Sequence, residues 1–383
     1  MSPRDGWPRY SDACKKALQA LVVNGRSLTA YRSNPTQPYG PAGHSWAWRF
    51  ERLAERTAKV QHVILCSSGT MALIAALRAV NLRAKDRVIT SPFTFSATPA
   101  AIKLAGYKPV FADVGWSPAG CLDPVAAAGV DGALTVPVDL FGAIAARTAN
   151  RPIVADSCQA VGAYHGMRGA KLAVWSMNGQ KNIPAGEAGA VLTDDTDLAL
   201  QVRQFISHGE NWMHTFVGLN GRVNELTACV AYHGLQDLPE HNKHRQMLAL
   251  ALRTHLKGES RVIPLTPEDL THHALYVYPL LVAPGVDRGA FVRGLQQLGI
   301  EAGEGYIRPH LGKYPAFLEC VEGPLPVVEE LSESRLVLLY HIRPPASRAQ
   351  MRWVARAIRL ALDGHQTWRG PRPRMASVEP GAF

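Results

Sequence analysis

Apolar residues recur at helical spacing from Trp46 to Ala58, with Arg and Glu filling the positions between them, and Asp12 to Val23 also reads as a helix. His62 to Cys66 is a short, unbroken apolar run and predicts a buried strand, followed by Ser67-Ser68-Gly69-Thr70 and a helix from Met71 to Val80. Further strands are predicted at Arg87 to Thr90, within Ala105 to Val114, at Ala133 to Val138, at Pro152 to Ala155, at Leu172 to Trp175 and at Ala190 to Leu192. Leu198 to Ser207 reads as a helix. Glu225 to Lys257 has helical spacing broken near Pro239, and a long connecting helix to a smaller C-terminal domain is expected there. In that domain strands are expected near His273 to Val282 and Ile300 to Ala302, with helices near Arg288 to Leu298 and Gln350 to Leu362. The pattern places a large domain over 1–238, whose N-terminal segment can pack with the small one, a small domain over 239–363, and a disordered Pro/Arg-rich tail over 364–383. Ser33 to Gly43, rich in Pro, Gly and Asn, reads as a loop.

Composition narrows the class. The 383 residues, 47% hydrophobic, suffice for a sizeable core and more than one domain. No apolar run approaches a membrane span, and the N-terminus MSPRDGWPRY lacks the apolar core of a signal peptide. Six cysteines without CxxC pairs fit a reducing cytoplasm and argue against zinc or a disulfide framework. The fourteen histidines show no HxxxH or HExxH spacing, so no metal site is read. The formal charge is +10, and much of it is local: eight arginines face only Asp363 and Glu379 from His341 onward. With few aromatic residues among them, these arginines read as a solvated helix face and tail rather than a nucleic-acid surface. A positive field that attracts anionic substrates is the further reading.

Three stretches carry chemistry. Trp175 to Asp195 reads as two strands joined by a Gly-rich loop that holds one lysine, Lys181. The strand ending at Cys66 gives way to small polar residues that open a helix, where free backbone N–H groups and the helix dipole favour an anion. Asp156 stands at the carboxyl end of a buried strand, where open α/β sheets bind ligands. Each feature alone also fits a plain structural role: a solvated loop lysine, an N-cap at Ser68 or Thr70, a cap at Asp156.

Taken together and in order, these stretches resemble the DegT/DnrJ/EryC1/StrS aminotransferases over roughly residues 30–360. Ser176, four residues, Lys181, four residues and Gly186-Glu187-Ala188-Gly189 match the lysine segment; Ser68-Gly69-Thr70 with Ala72-Leu73 matches SGTxAL. Pro92 to Thr98 is close to PxxTFxAT, and Ala105 to Val114 resembles GxxPVFxDV. The resemblance implies an α/β protein of fold type I, with a large, mostly parallel sheet domain and a smaller C-terminal α/β domain. It implies pyridoxal 5'-phosphate (PLP) as cofactor, joined to Lys181 as a Schiff base. Gly69, Thr70 and Ser176 would then hold the phosphate, Phe95 would stack on the pyridine ring, Asp156 would face the ring nitrogen and Gln159 the phenolic oxygen. Gly218 to Leu226 resembles GxNYRMNEL, which puts Asn220 in a neighbouring subunit's phosphate site and implies a homodimer with composite sites; Arg222 takes the place of the motif's arginine. Tyr306 and His310 match YxPLH and are candidate substrate residues with Arg308, which replaces a proline. The departures are Asp139 for His, which marks either the substrate pocket or nothing, Gly221 for an aromatic residue, which suggests a wider site, and Ala188 for Gly, which costs little if φ there is negative.

The implied function is transfer of an amino group from glutamate or glutamine to a ketone on a nucleotide-linked keto sugar or keto cyclitol, in amino-sugar or antibiotic biosynthesis. Relatives that dehydrate deoxysugars carry His in place of Lys181. Aminohydroxybenzoate-synthase-like activity and a non-catalytic regulator are the alternatives. Trp175-Ser176-Met177 resembles the FSM of cyclitol enzymes, while Asn178-Gly179-Gln180-Lys181 is nearer the NGNK of nucleotide-sugar enzymes. An Arg308 that pairs with a substrate anion tilts the balance slightly to the nucleotide sugar.

Overall fold

A computed structural model describes residues 7–24, 28–29, 45–116, 124–147, 150–163, 167–209, 217–340, 342–365 and 367. The Ser33–Gly43 loop and nearly all of the C-terminal tail lie outside these residues. In chain order the large domain holds α1 (Asp12–Val23), α2 (Trp46–Ala58), β1 (His62–Cys66), α3 (Gly69–Ala79), β2 (Arg87–Thr90), α4 (Ala97–Leu104) and β3 (Lys108–Phe111). It continues with α5 (Pro124–Ala128), β4 (Leu134–Thr135), β5 (Val154–Asp156), β6 (Leu172–Ser176), β7 (Gly189–Thr193) and α6 (Thr196–Phe205). Then come α7 (Glu225–Leu256), β8 (Val262–Pro264), β9 (Tyr278–Val282), α8 (Arg288–Gln297), β10 (Ala302–Gly303), α9 (Pro326–Glu330), β11 (Leu336–Leu339) and α10 (Arg348–Leu362).

Strands β3-β2-β4 form one group, all parallel, and β5-β6-β7-β1 form a second, mixed group. Parallel bridges Thr135–Ile153 and Val138–Asp156 join them side by side. The resulting order is β3-β2-β4-β5-β6-β7-β1, with β7 antiparallel to both neighbours. Alternate residues of these strands serve two cores. Val63, Leu65, Trp175 and Leu192 face α2 and α7, against Phe50, Ala54 and Leu235. Ile64, Cys66, Val174 and Val191 face α3 and α6, against Leu73, Leu77 and Val202. Burial on both faces is why the strands read as unbroken apolar runs rather than alternating ones.

The small domain is an antiparallel sheet ordered β10-β11-β9-β8. Its core joins Leu248 and Leu252 of α7 to Phe291 of α8 and to Met351 and Ile358 of α10. Ser347 and Gln350 form a capping box at the start of α10. At the other end of α7, the buried Glu225 carboxylate accepts hydrogen bonds from the backbone N–H of Trp46 at 2.7 Å and Ala47 at 3.3 Å, tying α7 to the start of α2.

Some expectations are corrected. The long connecting helix expected over Glu225 to Lys257 is α7, and the break in spacing near Pro239 does not interrupt it. The ring lies on the exposed face, while Leu235 and Leu238 on one side and Leu248 and Leu252 on the other are buried. Burial of both halves offsets the cost of an interior proline, about 3 kcal/mol. The strand expected over His273 to Val282 starts only at Tyr278, because Leu275 turns the chain at φ 46°. The strand expected over Ala133 to Val138 is cut to Leu134–Thr135. Among the described residues no helix is long and apolar enough to cross a membrane, and no group of His, Cys, Asp or Glu is arranged to hold a metal ion.

Candidate active site

The carboxyl ends of β1, β5 and β6 meet the N-terminus of α3. Ser68 caps this helix, its hydroxyl accepting from the N–H of Met71 at 3.1 Å. The first N–H groups of the helix, those of Gly69 and Thr70, remain free to point at a ligand. Close approach explains two glycines. A Cβ on Gly69 would lie 2.8 Å from Ser176 Cβ, and one on Gly189 would lie 2.3 Å from the Ser68 carbonyl oxygen. The small residues therefore let the start of β7 and the end of β6 press against the helix N-terminus, which puts the Ser176 hydroxyl beside the free N–H groups.

Asp156, buried at the end of β5, forms the floor. Thr98 Oγ1 donates to Asp156 Oδ2 at 2.7 Å, and the Cys158 N–H donates to Oδ1 at 3.2 Å. Three residues after Asp156, Gln159 Oε1 accepts from the Phe141 N–H at 3.0 Å, and Gln159 Nε2 donates to the Tyr306 hydroxyl at 2.6 Å. Burial pushes the Tyr306 phenol well above its ordinary range, with Tyr276 adding to the shift. The phenol therefore keeps its proton, and since its oxygen accepts from Gln159, that proton can be offered to a bound group. Burial and the neighbouring Asp156 carboxylate push the Cys158 thiol up as well. The thiol stays protonated and is no nucleophile.

Lys181 lies in the loop between β6 and β7. This loop is held by backbone pairs Met177–Ala188 and Gly179–Gly186, by the Lys181 N–H to the Asn178 carbonyl at 2.8 Å, and by Asn178 Nδ2 to Glu187 Oε1 at 2.7 Å. Its Nζ stands 4.4 Å from the ring centroid of Tyr276. Ala188 is not among the described residues of positive φ, so its methyl carries no left-handed strain.

The helix N-terminus, Asp156, Gln159, Ser176, Lys181, Tyr276 and Tyr306 line one cavity of about 480 Å³, within the usual range for small-molecule sites. The lining includes Gly69, Thr70, Phe95, Asp156, Gln159, Ser176, Lys181 and Tyr306 among the residues singled out from sequence. The donor set fits PLP: free helix N–H groups and a serine for a phosphate, a fixed carboxylate for a protonated ring nitrogen, and an amine for an aldehyde. Phe95 stands at the lip, 57% exposed, edge-on to Tyr306 at 6.2 Å.

The other candidates lie elsewhere. Arg308 is exposed, forms an ion pair with Glu304 and does not line the cavity. His310 is buried outside the cavity, and among the described residues neither ring nitrogen has a hydrogen-bond partner. Asn220 is exposed outside the cavity of its own chain. Asp139 does not reach the pocket: it is buried in an ion pair with Arg147 at 2.9 Å and accepts from the Ser157 hydroxyl at 2.6 Å. Gly221 does not widen the site within the chain, because a Cβ there would meet Met71 Cγ at 2.7 Å. Thr98 and Tyr276 are among the lining residues that sequence reading did not single out. Thr98 stood inside a recognised motif without a role, and Tyr276 was absorbed into an expected strand.

The sequence profile of the DegT/DnrJ/EryC1/StrS aminotransferase family matches residues 43–359. The UDP-N-acetyl-3-dehydro-alpha-D-glucosamine 3-aminotransferase of Acidithiobacillus ferrooxidans is 30% identical over 328 residues, covering 80% of this chain and 85% of that protein. The L-glutamine:2-deoxy-scyllo-inosose aminotransferase of Streptomyces paromomycinus is 29% identical over 312 residues, covering 73% of this chain and 71% of its own. Among solved structures, the Helicobacter pylori aminotransferase PseC, involved in pseudoaminic acid biosynthesis, shares the fold with a TM-score of 0.80 at 22% identity, covering 94% of this chain and 98% of that one. The chain thus belongs to the DegT/DnrJ/EryC1/StrS aminotransferase family and is a PLP-dependent aminotransferase.

Proposed function

We propose that this aminotransferase moves an amino group from glutamate or glutamine to a ketone on a polyhydroxylated ring, either a nucleotide-linked keto sugar or a keto cyclitol. The observation that carries this reading is convergence: Lys181, Asp156 and the Gly69–Ser176 cradle line one cavity. PLP, when bound, supplies an electron sink for breaking a C–H bond beside nitrogen. The protein supplies the rest. Gly69, Thr70 and Ser176 bind the phosphate and fix the depth of the cofactor. Asp156, fixed by Thr98, holds the proton on the ring nitrogen. Lys181 Nζ, once free, takes a proton from the carbon that bears the donor nitrogen and later returns it, as general base and then general acid. Tyr306 Oη, kept protonated, donates toward the cavity.

The ring ketone is supported by the kinds of relative found, one acting on a UDP-linked keto sugar and one on an inosose, as their names state. We read the working unit as a homodimer with composite sites. Exposed Val217 and Leu219 flank the exposed Asn220 outside its own cavity, which suits a surface covered by a second copy.

The test has two arms. Borohydride reduction of the PLP-loaded protein should fix the cofactor to the peptide containing Lys181, and Lys181→Ala should abolish that adduct; a surviving lysine adduct would overturn the assignment. Incubation with glutamate or glutamine and a panel of keto sugars and keto cyclitols, read by mass spectrometry, should show amination of a ring ketone. Amination of simple α-keto acids alone would remove the ring ketone.

A further inference from the structure

The segment His273–Tyr276, which lies between β8 and β9, is pinned residue by residue. Gln246 Nε2 donates to the His273 carbonyl at 3.1 Å, and Asn182 Nδ2 donates to that of Ala274 at 2.8 Å. The Ala274 N–H reaches the Gly142 carbonyl at 2.9 Å, and the Tyr276 N–H reaches that of Phe141 at 3.0 Å. Buried Arg245 donates through Nη1 to the carbonyls of Leu275 at 3.0 Å and Tyr276 at 3.3 Å. Inside this frame Leu275 takes φ 46°, a left-handed conformation unfavourable for a residue with a side chain. Its N–H is received by His273 Nδ1 at 3.0 Å. Gly142 has no room for a side chain, since a Cβ would lie 2.4 Å from the Leu275 nitrogen.

The pinned, strained turn sets the ring of Tyr276 with its face toward Lys181 Nζ, 4.4 Å from the centroid. Among the described residues no hydrogen bond or ion pair holds this nitrogen. Functional sites are where strain of this kind is retained. We propose that Tyr276 is the resting partner of the free Lys181 amine, its ring face holding Nζ beside the cavity whenever the lysine is not joined to the cofactor. A ring face attracts an ammonium through its quadrupole yet offers no counter-charge and accepts no proton. The amine is therefore parked next to its reaction partner without being locked to a carboxylate. The ring, rather than the phenolic hydroxyl, carries the role. The proposal rests on the reading of Lys181 as the lysine that carries the cofactor.

The test uses full-length protein freed of cofactor and trace-labelled with acetic anhydride, which acylates only the neutral amine. Labelling of Lys181 is measured by mass spectrometry relative to the exposed Lys85 and Lys257 in the same sample. A cation–π contact of roughly 0.5–2 kcal/mol corresponds to about twofold to thirtyfold. Tyr276→Leu should raise relative labelling of Lys181 by roughly that factor, and Tyr276→Phe should stay within twofold of the parent. Loosened packing in the leucine variant would raise labelling too, so a shape-preserving variant decides. Pentafluorophenylalanine at position 276 keeps the ring but makes its face electron-poor, and should label like the leucine variant. If it labels like the parent, or if Tyr276→Phe rises as far as Tyr276→Leu, the proposal is overturned. Labelling requires no turnover, so the borohydride result on Lys181 can fail or stand independently of this one.

Discussion

Thr98 Oγ1 donates a 2.7 Å hydrogen bond to Asp156 Oδ2, and both side chains are buried. Thr98 in turn contacts the Thr94 hydroxyl at 3.2 Å, so the carboxylate on the cavity floor is held from α4 as well as from its own strand. Removing the Thr98 hydroxyl leaves a buried carboxylate oxygen short of a donor, a loss of about 1–3 kcal/mol. Thr98→Val should therefore weaken cofactor binding by roughly fivefold to a hundredfold, read by absorbance titration of the cofactor-free protein. Thr98→Ser keeps the donor and should recover most of the affinity. An unchanged dissociation constant in the valine variant would show that Asp156 does not depend on this bond.

Local reading found what local physics determines. The apolar run of β1 and the Ser-Gly-Thr sequence opening α3 sit side by side in the chain, so strand, turn and anion cradle were visible together. Asp156, at a strand end, and Lys181, in a Gly-rich loop between two strands, stood out for the same reason. Tyr276 was not legible, because its role comes from a left-handed Leu275 held by Arg245 and Asn182, and neither partner is near it in sequence. Asp139 misled for the related reason that its partner Arg147 decides whether it faces the pocket or the interior. Pro239 interrupts the sequence pattern but not the expected long helix, because local propensity is outweighed by burial of both halves of α7 in two separate cores.

The same pinned turn predicts a pH dependence. Burial, with Arg253 adding to it, depresses His273 from its ordinary value to about 3, so the ring is neutral in the fold. Unfolded, it would titrate near 6.5. Below that pH the unfolded chain binds a proton that the folded chain refuses, so the contribution of His273 to stability is complete above pH 6.5 and is lost as the pH falls toward 3. Over the whole window the loss is on the order of a few kcal/mol. Chemical denaturation at pH 7.5, 6, 5 and 4 should show a steeper decline in the parent than in His273→Gln, which has no proton to gain. Parallel declines would mean that another group sets the acid limit.

Arg308 offers a sharp test of reach. It pairs with Glu304 on the surface, and an exposed pair of this kind contributes only about 0–1 kcal/mol. Arg308→Ala should leave the melting temperature within a few degrees of the parent. Since the side chain stands outside the cavity, KM for a nucleotide sugar and for a neutral cyclitol should each stay within about twofold. A KM raised severalfold for the nucleotide sugar alone would show that the guanidinium leaves Glu304 to meet the substrate anion.

Asn220 distinguishes a composite site from a self-contained one. Its side chain accepts from the N–H of Arg222 at 3.3 Å, on a surface outside the active-site cavity of its own chain. If this surface meets the phosphate cradle of a second copy, sedimentation should show a dimer, and Asn220→Ala should weaken PLP binding by roughly fivefold to a hundredfold. Mixing two defective proteins gives the stronger result. Lys181→Ala subunits lack the amine, and Asn220→Ala subunits lack the crossing amide. In a heterodimer of the two, one site carries both defects and the other carries neither. At limiting cofactor, refolding the two proteins together should therefore restore activity above that of either alone. If Asn220 served its own chain, every site of the heterodimer would keep one defect and mixing would restore nothing. A fully active monomer would overturn both the dimer and the shared site.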